Sequence, residues 1–150
     1  MFTPSRAFLA AVLERAAGTS TVTVMGSASI GLIRSPFAPT VDTTYAQVVA
    51  VEANYTGYAR QAAGLDTPSF IGPGNLSLLE GDLLVFMSSD TVTPNTIYGH
   101  FWTGSATSTF YGCEMYDNPI PLPTPAERVT IVPRVGLDPN ANYGLSLVSN

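Results

Sequence analysis

His100 and Cys113, the only histidine and the only cysteine of this 150-residue chain, are the side chains closest in type to a nucleophile and its base. A hydrolase needs those two groups in contact and oriented by a third. Both sit in aromatic runs, Ile97-Tyr98-Gly99-His100-Phe101-Trp102 and Thr109-Phe110-Tyr111-Gly112-Cys113, without the local signature of a cysteine hydrolase. Side chains alternate along a strand, so whether Cys113 faces His100 depends on register. The expectation is a packed strand histidine and a small buried hydrophobe.

The carboxylates give a similar reading. Glu80 and Asp82 flank Gly81, and Glu114 and Asp117 lie three apart. A retaining glycosidase holds two carboxyls about 5 Å apart in a cleft. Here the acids mostly neighbour Gly, Pro or Asn, as solvated turn acids do. Asp138-Pro139-Asn140-Ala141-Asn142 aligns oxygen atoms but lacks the acidic density of a calcium loop, and it reads as an Asx turn. Gly72-Pro73-Gly74-Asn75 is a turn and not a phosphate cradle. A single thiol excludes an intrachain disulfide and a cysteine zinc cluster. The expectation is a non-enzymatic protein with no catalytic, cofactor or metal site.

Composition points to contacts. Hydrophobic residues make up 45% of the chain and charged residues 11%, against about 25% charged in soluble domains. Ser, Thr, Asn and Gly cover such a surface, or neighbouring subunits hide it. Net charge is −5, and the six basic residues are all Arg. With no basic stripe, a nucleic-acid partner is not expected. Tyr55, Tyr58, Tyr98, Phe101, Trp102, Phe110, Tyr111 and Tyr116 outnumber the places on one face of a small sheet. Some are expected to point outward, where Tyr and Trp anchor interfaces or stack on sugars.

The elements that place these residues are mostly strands. Thr3-Pro4-Ser5 opens a helix, Phe8, Leu9, Val12 and Leu13 form its apolar face, and Gly18 ends it. Residues 1–18 are read as an N-terminal helical arm, too short in its apolar run to span a bilayer. Val22 and Val24, then Ile30, Leu32 and Ile33, carry strand periodicity. Asp42-Thr43-Thr44 caps a short helix over Tyr45 to Val51. Asn54 to Arg60 alternates like a strand, and Gly64 to Asn75 reads as a loop. Leu76 to Leu78 and Leu83 to Met87 are strands, the second apolar enough to be central. An aromatic hairpin turns at Gly104-Ser105, and Pro119 to Pro125 spaces out an extended crossover. Val129 to Val132 and Tyr143 to Val148 are the last strands. Short strands with turn signals every eight to twelve residues predict one domain over 1–150. The fold expected is a mostly β, antiparallel β-sandwich of jelly-roll type with one N-terminal α-helix.

Three segments carry a family likeness. Glu52-Ala53-Asn54-Tyr55-Thr56-Gly57-Tyr58-Ala59-Arg60, Asn95-Thr96-Ile97-Tyr98-Gly99-His100-Phe101 and Val129-Thr130-Ile131-Val132-Pro133 occur in this order. Together they resemble small, uncharacterised structural proteins of tailed bacteriophages. That resemblance implies a virion component, assembled in the host cytoplasm, of the β-rich decoration or fibre-like kind. The implied partners are copies of the chain itself, with a trimer favoured, and other virion proteins such as the major capsid protein. Candidate subunit contacts are Phe8, Leu9, Val12 and Leu13 on the helix and Tyr98, Phe101 and Trp102 on the hairpin. The rival expectation is a glycan- or receptor-binding β-module with Trp102 as its stacking platform.

Overall fold

The computed structural model describes residues 2–18, 27–65, 70–72, 76–89, 95–104, 109–122, 128–137 and 145–147. The chain passes through β1 (Phe2–Pro4), α1 (Arg6–Ala16), β2 (Ala28–Ile33), α2 (Tyr45–Ala50) and β3 (Gln61–Ala62). Three strands follow, β4 (Phe70–Gly72), β5 (Leu76–Glu80) and β6 (Leu84–Met87), then the long pair β7 (Asn95–Gly104) and β8 (Phe110–Leu122). The last are β9 (Arg128–Ile131), β10 (Arg134–Leu137) and β11 (Leu145–Leu147). The protein is mostly β, and its strand pairs are antiparallel.

Both helices start and stop on local chemistry. The Ser5 hydroxyl accepts from the Phe8 amide (3.1 Å) and donates to the Phe110 carbonyl (2.5 Å), so it caps α1 and ties it to β8. Gly18, with φ of 70°, follows the last turn. Thr44 and Gln47 form a reciprocal capping box at the start of α2.

The hairpin β7–β8 forms the centre of a five-stranded sheet ordered β1-β8-β7-β2-β3. The other sheets are β11-β10-β5-β4 and the pair β6-β9. These two are halves of one bent ribbon. Glu80 pairs with Arg134 and Leu84 with Ile131, while the Gly81 amide donates to the Pro133 carbonyl between them. Residues 81–83 thus oppose residues 132–133, a one-residue bulge that bends the ribbon.

Each face of the five-stranded sheet buries a core. On one face, Ile30, Leu32 and Trp102 meet Phe8 of α1 and the inward side chains Leu84, Phe86, Val129 and Ile131 of β6 and β9. On the other, Ile33, Phe101, Phe110 and Cys113 pack with Val48 of α2. Burial along β6 and β9 keeps strict period two: Leu84, Phe86, Val129 and Ile131 are buried, while Met87, Arg128 and Thr130 are exposed.

Several expectations give way. Asn54 to Arg60 is a loop, with a turn closed by the Tyr58 amide on the Tyr55 carbonyl (3.0 Å). Gly57 holds its third position at φ 88°, a left-handed conformation that opposes a strand. The expected loop Gly64 to Asn75 contains β4, paired with β5. Among the described residues β6 has β9 as its only strand neighbour, and the Gln61 side chain donates to the Val85 carbonyl on its other edge (2.7 Å). Pro119 and Pro121 belong to β8 itself, because β1 pairs only with Gly112 to Glu114 and leaves β8 an edge strand beyond. Val22, Val24 and the Asp138 to Asn142 turn lie outside the described residues.

Candidate functional site

Register separates the two residues that could have formed a nucleophile–base pair. His100 lies opposite Glu114, and Phe101 lies opposite Cys113. Cross-strand partners share a face, so His100 and Cys113 point to opposite sides of the sheet. His100 is 1% exposed. Burial pushes its imidazole down to about 4, against the upward pull of Glu114. Its Nδ1 lies 3.2 Å from the Tyr116 hydroxyl, and its Nε2 is buried without a hydrogen-bond partner among the described residues. Cys113 sits in the other core, where burial pushes its thiol up to about 12 and keeps it protonated.

The carboxylates are likewise dispersed. Glu80 accepts from Arg134 (2.8 Å) near the surface, and Asp82 and Asp117 are exposed. Among the described residues no three of His, Cys, Asp and Glu lie where they could hold a metal ion. Among the described residues no helix is long and apolar enough to cross a membrane.

The polar cluster that does form was not read from the sequence. Glu52 Oε1 accepts from the Tyr58 hydroxyl and from Arg60 Nε, both at 2.7 Å, and its Oε2 accepts from Arg60 at 2.6 Å. A third guanidinium nitrogen donates to the Tyr45 hydroxyl (2.8 Å). The guanidinium carbon lies 5.3 Å from the Tyr45 ring centre and 5.1 Å from that of Phe101. The Tyr58 hydroxyl accepts in turn from the Leu32 amide (3.0 Å), and burial, then Glu52, hold it protonated. Each nitrogen of Arg60 makes one hydrogen bond, so this cluster clasps the 52–60 loop to α2 and β2. The signal that could have found it is one acid, two tyrosines and one arginine inside a segment broken by glycine.

No protein family, curated protein or solved structure matches this chain. The functional reading therefore depends on the surface.

The expected contact residues divide by helix and sheet geometry. Phe8, Phe101 and Trp102 are at most 1% exposed and belong to the chain's own cores, so they are not surface contacts. Trp102 faces Ile30 across the strand pair and has no free ring face for a sugar. Val12 and Tyr98 pack half-buried against the two cores, and Leu9 is half-buried. Only Leu13, 69% exposed, is an outward hydrophobe. It shares the outer side of α1 with Arg6, Ala7, Ala10 and Glu14, all exposed. Beside them an open groove of about 550 Å³ runs between α1 and residues 41–45, with Ala7, Ala10, Val41 and Phe110 in its walls. The Ser5 and Thr44 hydroxyls that border it are used in capping. On the β6–β9 ribbon, Leu83 and Met87 are 61% and 53% exposed.

Proposed function

We propose that this chain is a non-enzymatic structural protein of a tailed-phage particle, a decoration or other head or tail accessory component. It works through contacts with its own copies and with other virion proteins such as the major capsid protein. The observation that carries this reading is the exposed apolar surface. Leu13 on α1, and Leu83 and Met87 on the outer side of the β6–β9 ribbon, are each more than half exposed on a chain only 11% charged. Water is a poor neighbour for such side chains, and burying each against another subunit contributes about 1.5–3 kcal/mol. The five-stranded sheet facing the ribbon across the larger core supports a sandwich of jelly-roll kind. The likeness of Glu52 to Arg60, Asn95 to Phe101 and Val129 to Pro133 to phage structural proteins supplies the setting.

Density-gradient sedimentation of virions assembled with an epitope-tagged chain tests the proposal. The tagged chain is expected to band with particles at a fixed stoichiometry. A chain that stays wholly in the soluble fraction overturns it.

A further inference from the structure

We infer that the outer face of α1 is where two copies of this chain meet, helix against antiparallel helix, about a twofold axis at Ala10. This rests on the reading of the chain as a contact protein and names the partner and symmetry of one contact. It replaces the trimer expected from the sequence as the state this surface builds.

The face is self-complementary in three respects. First, Arg6, Ala7, Ala10, Leu13 and Glu14 fall within about 120° of the helix circumference, and all five are exposed while Phe8 is buried and Val12 packs on the core. Second, the spacing is symmetric about Ala10. Arg6 and Glu14 lie four residues either side of it, about 6 Å along the axis, and Ala7 and Leu13 three either side, about 4.5 Å. An antiparallel copy centred there brings its Glu14 to the level of Arg6 and its Leu13 to the level of Ala7. The small side chain of Ala10 lets the two helices approach closely at the centre of the contact.

Third, Arg6 and Glu14 on this face are each wrongly placed for their own helix and rightly placed for an antiparallel neighbour. The N-terminal end of a helix carries partial positive charge and the C-terminal end partial negative charge. Arg6 stands in the first turn, which holds no acid, and Glu14 stands near the end. Placed antiparallel, Arg6 faces the negative end of the second helix, and Glu14 the positive end. The present partner of Arg6 is Asp42 at 2.9 Å, with side chains 73% and 69% exposed, so the pair is well screened and rearranges at little cost.

A pair of eleven-residue helices is a small interface, so the association belongs in the micromolar range. Light scattering after size exclusion, at tens of micromolar chain, should read twice the 15.8 kDa chain mass. Arg6→Glu or Glu14→Arg alone places like charges at both ends of the contact and should weaken it at least about 10-fold. The double variant R6E/E14R restores opposite charges and should recover the dimer. Leu13→Asp removes two buried leucines per dimer and should weaken it on the order of 100-fold. Circular dichroism checks that every variant keeps its fold. A monomeric or trimeric wild type overturns the inference, and so do single charge reversals that leave the dimer unchanged. In those cases particle banding still tests the structural reading separately; an intact dimer that never bands with virions would overturn that reading alone.

Discussion

Replacing Glu52 with Ala removes three acceptor contacts at once, two from Arg60 and one from the Tyr58 hydroxyl. The pair is mostly buried, with side-chain exposures of 25% for Arg60 and 14% for Glu52. Removing one partner of a fully buried pair costs 3–5 kcal/mol, chiefly because the other charge is left uncompensated. A quarter-exposed guanidinium recovers part of this from water, which brings the expected cost to about 2–3 kcal/mol. At this chain length each kcal/mol moves the midpoint by about 2–4 °C, so Tm should fall by about 5–10 °C. The internal control is Asp42→Ala, which breaks an exposed single-contact pair and should leave Tm unchanged. Thermal melts followed by circular dichroism read both. The double variant E52A/R60A should cost less than the sum of the two single changes, since it leaves no stranded charge. Equal, small shifts for Glu52→Ala and Asp42→Ala would refute the claim that the clasp holds the loop.

His100 makes stability depend on pH. Its folded-state pKa, about 4, lies below the ordinary 6.5 because of burial. The unfolded chain therefore binds the proton first, and the full contribution is present above pH 6.5 and lost as pH falls to 4, about 3 kcal/mol in all. Urea midpoints should drop across that window more in the wild type than in His100→Phe; parallel pH profiles would contradict this. Gly31→Ala should destabilise by about 1–3 kcal/mol, because a methyl group there meets the Phe101 ring and the Tyr58 hydroxyl. An unchanged melting curve would show that these rings move aside freely.

Local signals were the legible ones. Ser5 and Gly18 bound α1, and Thr44 caps the start of α2, as their residue types foretell. What the sequence hid was tertiary. The alternation of Tyr55 and Tyr58 imitates a strand, yet the rings meet edge to face at 5.3 Å because the turn at Gly57 folds one onto the other. Leu83 to Met87 reads as a central strand because both its faces are apolar, and only the packing shows that Leu83 and Met87 point to water. The surplus of aromatics was expected to reach the surface. A sheet covered on both faces, by α1 and the ribbon on one side and by α2 on the other, takes in Phe101 and Trp102 together. Along α1 Phe8 went inward, so the candidate contact keeps Leu13 of the expected apolar face and adds two alanines and two charges that no hydrophobicity count selects.

The pairing of β1 with β8 joins Phe2 to Glu114, the first strand to the eighth. The Ser5 amide and hydroxyl are bound to Tyr111 and Phe110 in the same stitch. Such a closure between distant parts of the chain comes late in folding, since the intervening loop must first be brought together. During synthesis α1 emerges early, but the strand that fixes its orientation begins to emerge only some 94 residues after the helix ends. A chain with an incomplete or misregistered β8 cannot hold α1 in place. Native presentation of the outer face of α1 is therefore a sign that β1 and β8 have closed the sheet.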